Sequence, residues 1–460
     1  MSIFSTGDKE HILKSETQAY YDKMTKEPLA KLIISLGIPT TISMLVTNIY
    51  NMVDTYFVGT LGESQQAATG ILFTLQAIIQ AIAFMLGQGS GSLVSKALAD
   101  KDTEEASEYV STGFFVGAVL GILLMVFGLI FLDPFMRLLG STDTILPYAR
   151  QYGWCVLIMC PVVIGSFVLN NNLRYEGKAF YAMIGLVTGG IINIFGDYLL
   201  IKVIPLGVLG AGIATAASQF ISFLILLYFY KKMAQGKIRI RYISRKFSTY
   251  FTICRVGFPG LIRQGLNSVS SGILNNLTRP YGDAAIAAMS VVNRFTAFVM
   301  CVGLGVGQGF QPVAAFNYQA KKYSRVKKGL LVTMGVGLCM ICCLALPGFL
   351  FAEQVVYMFQ KSPQVVEIGT FALRCSCVGV TFLALSVPIN MLYQSTRQAA
   401  LSSFLSMLRN GLILIPLLFI TTHYWGLDGI RISQPLADIV TGVLSIPFVV
   451  SFLRKDLKDS

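Results

Sequence analysis

The chain of 460 residues is short of charge: Asp, Glu, Lys and Arg make up 13% of it, while hydrophobic residues make up 54%. A soluble domain carries roughly 25% charged residues, so a series of ordinary soluble domains is excluded. Histidine is scarcer still. With only His11 and His423, zinc sites and Ser–His–Asp arrangements built on histidine are close to excluded. No cleavable signal peptide is seen, because residues 1–31 are polar, carry Lys9, Lys14, Lys23, Lys26 and Lys31, and lead into apolar sequence without a small-residue cleavage site. No nucleophile–base pair or phosphate-cradling loop is visible either, which argues against a membrane-embedded enzyme. The nine cysteines all fall in apolar segments, where cysteine acts as a small buried hydrophobe rather than a metal ligand.

What is present is apolar sequence in long runs. Gly113–Leu132, Tyr152–Val168, Ile213–Tyr230, Leu330–Phe351 and Phe371–Leu392 each approach or exceed the roughly 20 residues that a bilayer core demands. Twelve helices are expected, at 33–60, 66–96, 106–131, 145–171, 178–201, 207–230, 250–279, 284–317, 326–351, 365–393, 399–421 and 427–453. Interior prolines (Pro39, Pro161, Pro259, Pro388) are compatible with this, since membrane helices tolerate them where neighbours satisfy the freed backbone.

The net charge of +13 does not indicate nucleic acid, because the basic residues gather in alternate loops. Lys231, Lys232, Lys237, Arg239, Arg241, Arg245 and Lys246 form one cluster without an acid; Lys321, Lys322, Arg325, Lys327 and Lys328 form another; Arg454, Lys455 and Lys458 close the tail. Loops of one parity carry roughly 25 basic residues against about 4 in the other. The positive-inside rule then places both termini in the cytoplasm of a multi-pass cell-membrane protein.

The sequence repeats at a shift of about 220. Gly37-Ile38-Pro39 recurs as Gly257-Phe258-Pro259, Gly62 as Gly282, and Gly87-Gln88-Gly89 as Gly307-Gln308-Gly309; Gly207 and Gly210 match Gly426 and Gly429 at 219. Six helices per repeat is an even number, so the halves are parallel. The expected architecture is all-α, with a cytosolic arm (1–31), an N-lobe (32–230), a basic linker (231–249), a C-lobe (250–453) and a short tail (454–460). Paired bundles of this kind make transporters with the substrate site between the lobes.

Three acids lie deep in apolar sequence, Asp54, Asp197 and Asp438, and such residues are costly and functional by default. Counting from the helix ends, Asp54, Asp197 and Thr215 sit roughly 6–12 Å below the outer surface, and Asn193 shares a helix face with Asp197. Two carboxylates, an amide and a hydroxyl at one level make an oxygen cage for Na⁺ or a proton site. The repeat does not duplicate it: Leu274, Ile413 and Leu417 replace Asp54, Asn193 and Asp197, and Gln434 replaces Thr215. The second half carries Arg263, Arg294, Arg374, Arg409 and Arg431 instead, and Asp438 is expected to pair with one of them, Arg431 being two turns away.

In order along the chain, Asn51-Met52-Val53-Asp54-Thr55, Gly87-Gln88-Gly89, Asn193-x-x-x-Asp197 and Gly210-Ala211-Gly212-Ile213-Ala214-Thr215 resemble the multidrug and toxic compound extrusion (MATE) family over roughly residues 28–453. The string Gly260-Leu261-Ile262-Arg263-Gln264 further resembles its MepA-like bacterial branch. The resemblance implies a V-shaped, twelve-helix efflux antiporter that needs no cofactor beyond a coupling ion, H⁺ or Na⁺. It implies cation binding by Asp54, Asn193, Asp197 and Thr215. Pro39 matches a helix-1 proline at which bending on protonation has been proposed, and Tyr50 matches a residue of the same cavity. With Asn51, Asn170, Gln88, Arg263 and Gln264 these form the candidate substrate cavity or coupling set. A branch that places its acids in helices 7, 8 or 10 is not matched, since only Glu367, at the start of helix 10, falls there. The expected cargo is cationic or amphipathic small molecules, handled by a monomer. A flippase for lipid-linked precursors is the alternative, for which the second-lobe arginines would hold pyrophosphate.

Overall fold

The computed structural model describes residues 17–359 and 361–454, apart from the side chains of Glu63 and Asp283. Most of the expected arm, and the tail beyond Arg454, lie outside the described residues.

Long apolar helices dominate because the chain offers few alternatives: in lipid every backbone N–H and C=O must be paired within the segment. We number the spans α1 (Leu29–Gly59), α2 (Glu63–Ala99), α3 (Thr103–Ile130), α4 (Leu146–Ile158 and Cys160–Tyr175), α5 (Ala179–Val203), α6 (Gly207–Met233), α7 (Phe247–Thr278), α8 (Asp283–Gln319), α9 (Tyr323–Leu350), α10 (Pro363–Thr381 and Leu383–Ser395), α11 (399–425) and α12 (427–454). Helix α7 is long enough to span but more polar than the rest, with Arg263, Gln264 and Asn267 on one stretch. The run 399–454 is continuous except at Gly426, whose φ of 56° breaks it into α11 and α12.

Two expected spans are bent. Helix α4 turns by 50° between Ile158 and Cys160, and α10 by 44° between Thr381 and Leu383. Pro161 is therefore not interior to a straight helix: it occupies the first turn of the second segment, where its missing N–H costs nothing. In α10 the break lies just ahead of Pro388, whose ring and absent donor disturb the preceding turn.

The duplication is visible in the backbone. Gly62 and Gly282, Lys101 and Lys321, Gly177 and Arg397, and Gly207 and Gly426 all have positive φ, in pairs about 220 apart. Short helices Leu132–Leu138 and Ala352–Phe359 follow α3 and α9 at the same offset.

The two lobes meet crosswise, α1 against α8 and α7 against α2. The repeated glycines are the reason. A Cβ on Gly309 would strike the Gly37 amide and Ile33 carbonyl, and one on Gly89 would strike the Ile253 carbonyl. Each Gly-x-Pro element thus packs against the Gly-Gln-Gly element of the other half. All these residues lie toward the end bearing the basic loops, here the basic end. There one hydrophobic cluster joins both lobes, with Leu32, Ile33, Leu98, Phe310, Phe316 and Ile389 at its centre. Toward the opposite end the clusters separate, one almost wholly within the N-lobe and one within the C-lobe. Among the described residues the inter-lobe hydrogen bond farthest from the basic end is Asn48 Nδ2 to Cys301 Sγ, 2.9 Å. The lobes form a V, closed at the basic end.

Candidate functional site: a carboxylate cluster beside a central cavity

Inside the N-lobe, α1, α5 and α6 bring four predicted residues into one buried cluster. Asp54 is 4% exposed, Asn193 1%, Asp197 0% and Thr215 4%. Tyr152, on the first segment of α4, ties three of them together. Its hydroxyl donates to Asp54 Oδ2 (2.8 Å) and lies 3.1 Å from Thr215 Oγ1, which accepts from Asn193 Nδ2 at 3.2 Å. Asp197 stands one turn beyond Asn193, with Asp54 and Tyr152 as its electrostatic neighbours. Regular α-helix ends at Asp197 and gives way to a π turn over Tyr198–Val203, which Gly210 of α6 approaches so closely that a Cβ would touch the Leu200 carbonyl. Such π segments recur at functional sites.

The polar inventory does not balance. Asp54 Oδ1, Asn193 Oδ1 and both carboxylate oxygens of Asp197 are buried without a donor. Buried polar atoms are otherwise nearly always paired, and an ionised carboxylate alone in a low dielectric costs several kcal/mol. Four acceptor oxygens in one place fit a proton or a hard cation such as Na⁺.

One turn toward the basic end lies a cavity of about 330 Å³ between the lobes. Tyr50 and Asn51 of α1, Asn170 of α4, and Arg263 and Gln264 of α7 all line it. Asn267, Met300 and Gln308 contribute from the C-lobe, and Arg174 from the end of α4. Asp54 and Asp197 are not among the lining residues; Tyr50, Gly190 and Ser218, about one turn from Asp54, Asn193 and Thr215 respectively, line the cavity instead.

Two expected residues take other places. Gln88 does not line the cavity. It is fully buried in the contact beneath it, where its Oε1 accepts from Gln394 Nε2 (2.8 Å) and Arg263 Nη2 (3.4 Å). Pro39 is buried inside α1 near the crossing with α8 and does not itself line the cavity. Asp438 pairs with Arg409 (2.6 Å) and accepts from Gln434, not with Arg431, which reaches Asp428 three residues earlier. Sequence separation along one helix suggested Arg431, but Arg409 comes from the neighbouring helix α11.

The MatE family model matches residues 39–199 and 259–420, one match in each lobe. The chain belongs to the MATE family. It is 27% identical to the multidrug export protein MepA of Staphylococcus haemolyticus, over 97% of this chain and 98% of that protein. It is 25% identical to MepA of Staphylococcus saprophyticus over the same shares. The crystal structure of MATE in complex with MaL6 superposes with a TM-score of 0.89 at 25% identity, covering 94% of this chain and 98% of that one. The MATE fold, with twelve helices in two parallel lobes, is thus shared throughout.

Sequence reasoning missed Tyr152, because it lies in a different helix from every other member of the cluster and tyrosine in apolar sequence is ordinary. It also missed Arg174, which near a basic loop reads as a topology signal. Asn267 was detectable: it lies one turn from Arg263 and Gln264 on the polar face of α7.

Proposed function

We propose that this MATE protein is a secondary-active exporter of amphipathic small molecules, driven by entry of H⁺ or Na⁺ at the Asp54–Asn193–Asp197–Thr215 cluster. The observation that carries the reading is the set of four donorless buried oxygens one turn from the central cavity. The relatives named for multidrug export support the direction and kind of cargo. With the basic loops in the cytoplasm, as the positive-inside rule requires, the V opens outward, and cargo in the cavity faces the exterior. The protein acts as a monomer in the cell membrane, since two lobes in one chain already supply the interface.

Ion binding drives export only if the ion has different affinities for the two lobe arrangements. Tyr50 and Asn51 transmit that difference by geometry: they share α1 with Asp54, yet face the cavity. Purified protein in vesicles under an imposed proton or sodium gradient tests this. Uptake of a fluorescent cargo into inverted vesicles should follow one of the two gradients and vanish in Asp54→Asn and Asp197→Asn. Undiminished gradient-driven uptake by both variants would remove the assignment.

A flippase for lipid-linked precursors is the second reading. It is favoured by one observation: Arg174 and Arg263 line the cavity together.

A further inference from the structure

The geometry points to an anion-recognising floor in the central cavity, so that the cargo is an amphipathic anion, its acidic group held by Arg174 and Arg263 and its apolar part lying above. This rests on the transport reading and narrows its substrate class.

The cavity's lining contains two guanidinium groups and no carboxylate. Among the described residues neither arginine is neutralised by an acid. Arg174, 2% exposed, donates only to neutral acceptors: the Gln308 carbonyl (3.0 Å), Gln311 Oε1 (3.0 Å) and Asn171 Oδ1. From Gln311 the bonds run on to Gln394 (3.0 Å) and Gln88 (2.8 Å), where Arg263 Nη2 donates to the same Oε1 at 3.4 Å. Two cations are thus joined through three amides. The chain has surplus donors, because Arg263 Nη1 and Gln88 Nε2 are buried without an acceptor. What is missing at this floor is an acceptor carrying negative charge.

A smaller cavity lies beside it, within the C-lobe. It is lined by Arg263 and Arg409 with no acid, although Asp438 already neutralises Arg409 from behind. Above the floor Met44, Phe84, Phe167, Met300 and Leu304 give apolar surface among uncharged polar side chains such as Asn48 and Asn51. A planar guanidinium binds carboxylate or phosphate with charge-assisted, often bidentate, hydrogen bonds. An organic cation there would meet two like charges with no compensating acid. The N-lobe carboxylates do not serve, since they sit behind Tyr50 and outside the lining.

The test is equilibrium binding of radiolabelled decyl phosphate to the full chain in phosphatidylcholine nanodiscs, with empty nanodiscs subtracted. Saturable binding is expected, with decyltrimethylammonium, a cation with the same tail, competing at least about tenfold more weakly, a factor worth about 1.4 kcal/mol. Arg263→Gln should weaken binding by about tenfold or more, and Arg263→Lys, which keeps the charge but loses the planar fork, should recover only part of it. Unlabelled polyprenyl phosphate and octanoate are competed separately: stronger competition by the first indicates a lipid-linked source, and by the second a free organic acid. Equal or better competition by the ammonium compound, or an Arg263→Gln protein that binds as wild type, would overturn the inference. Binding needs no gradient, so the two readings fail separately. Cation-selective binding with intact ion-driven transport removes only the anionic cargo. Anion-selective binding without transport under either gradient removes only the coupling.

Discussion

At the residue scale, the N-lobe cluster is a case of burial without satisfaction. Tyr152 supplies one hydroxyl to Asp54, while Asp197 receives no donor. A ligand that binds only the folded state raises its stability by mass action. The wild-type protein should therefore show a melting temperature that rises with Na⁺, or with acidification, against a choline background. Asp54→Asn and Asp197→Asn should lose that dependence, and Asp197→Asn should be no less stable than wild type without ion, since it removes an unpaired buried charge. A retained sodium or proton response in both variants would relocate the ion. Tyr152→Phe strips Asp54 Oδ2 of its donor and should cost on the order of 1–3 kcal/mol, read as a lower melting temperature with the fold intact by circular dichroism. In the other lobe, Arg409 and Asp438 satisfy each other inside the protein. Removing either alone leaves an uncompensated buried charge.

Elements carry the second layer. The crossings α1–α8 and α2–α7 depend on backbones meeting without side chains between them, as small residues permit in membrane helices. Gly257 shows the constraint most sharply, because a Cβ there would collide with the Met85 carbonyl, backbone that cannot rotate away. Gly257→Leu should force α7 from α2 and favour opening at the basic end, detectable as increased labelling of a single cysteine placed at position 88. Unchanged labelling would show that the crossing tolerates a side chain. The turn after α4 is a second joint. Burial pushes the Glu176 carboxyl up to about 7, although the Gln235 and Gly236 amides and the Tyr230 hydroxyl pull it down. It accepts from Tyr230 (2.9 Å) and the Gln235 amide (2.6 Å), fastening the start of the α6–α7 linker. An acid whose folded value exceeds its unfolded value of about 4.3 contributes fully below that pH, and the contribution fades as pH rises through about 7. The melting temperature should fall across that window by the equivalent of up to ~3 kcal/mol, and Glu176→Gln should flatten the fall. An identical slope in the variant would assign it to other groups.

For the whole molecule, the V is held by one shared hydrophobic cluster at the basic end and by polar contacts that stop at Asn48 and Cys301. On the proposed transport reading, rocking of the lobes would part this region. Asn48→Cys, in a background whose only other cysteine is Cys301, should form a disulfide under oxidation. Transport should then stop, and a reductant should restore it. Full transport by the oxidised, quantitatively cross-linked protein would mean that the lobes need not separate there. The same arrangement keeps the donorless carboxylates in the N-lobe and the arginines without an acid partner at the lobe interface, with Tyr50 between them.

Twelve spans, their parallel duplication and the acidic cluster were legible in the sequence, because hydropathy, loop charge and carboxylates in lipid-length runs are local properties of the chain. Asn193 and Asp197 declare a shared face by their spacing alone. The repeated Gly-x-Pro and Gly-Gln-Gly strings announced a duplication, but not that each packs against the other half, which depends on how the lobes cross. Tertiary structure alone decided that Tyr152 completes the carboxylate cluster, that Gln88 serves the lobe contact rather than the cavity wall, and that Asp438 takes Arg409. The physical reason is common to all three. A hydrogen-bond partner on another helix is chosen by packing geometry, and the periodicity of a single helix carries no record of its neighbours.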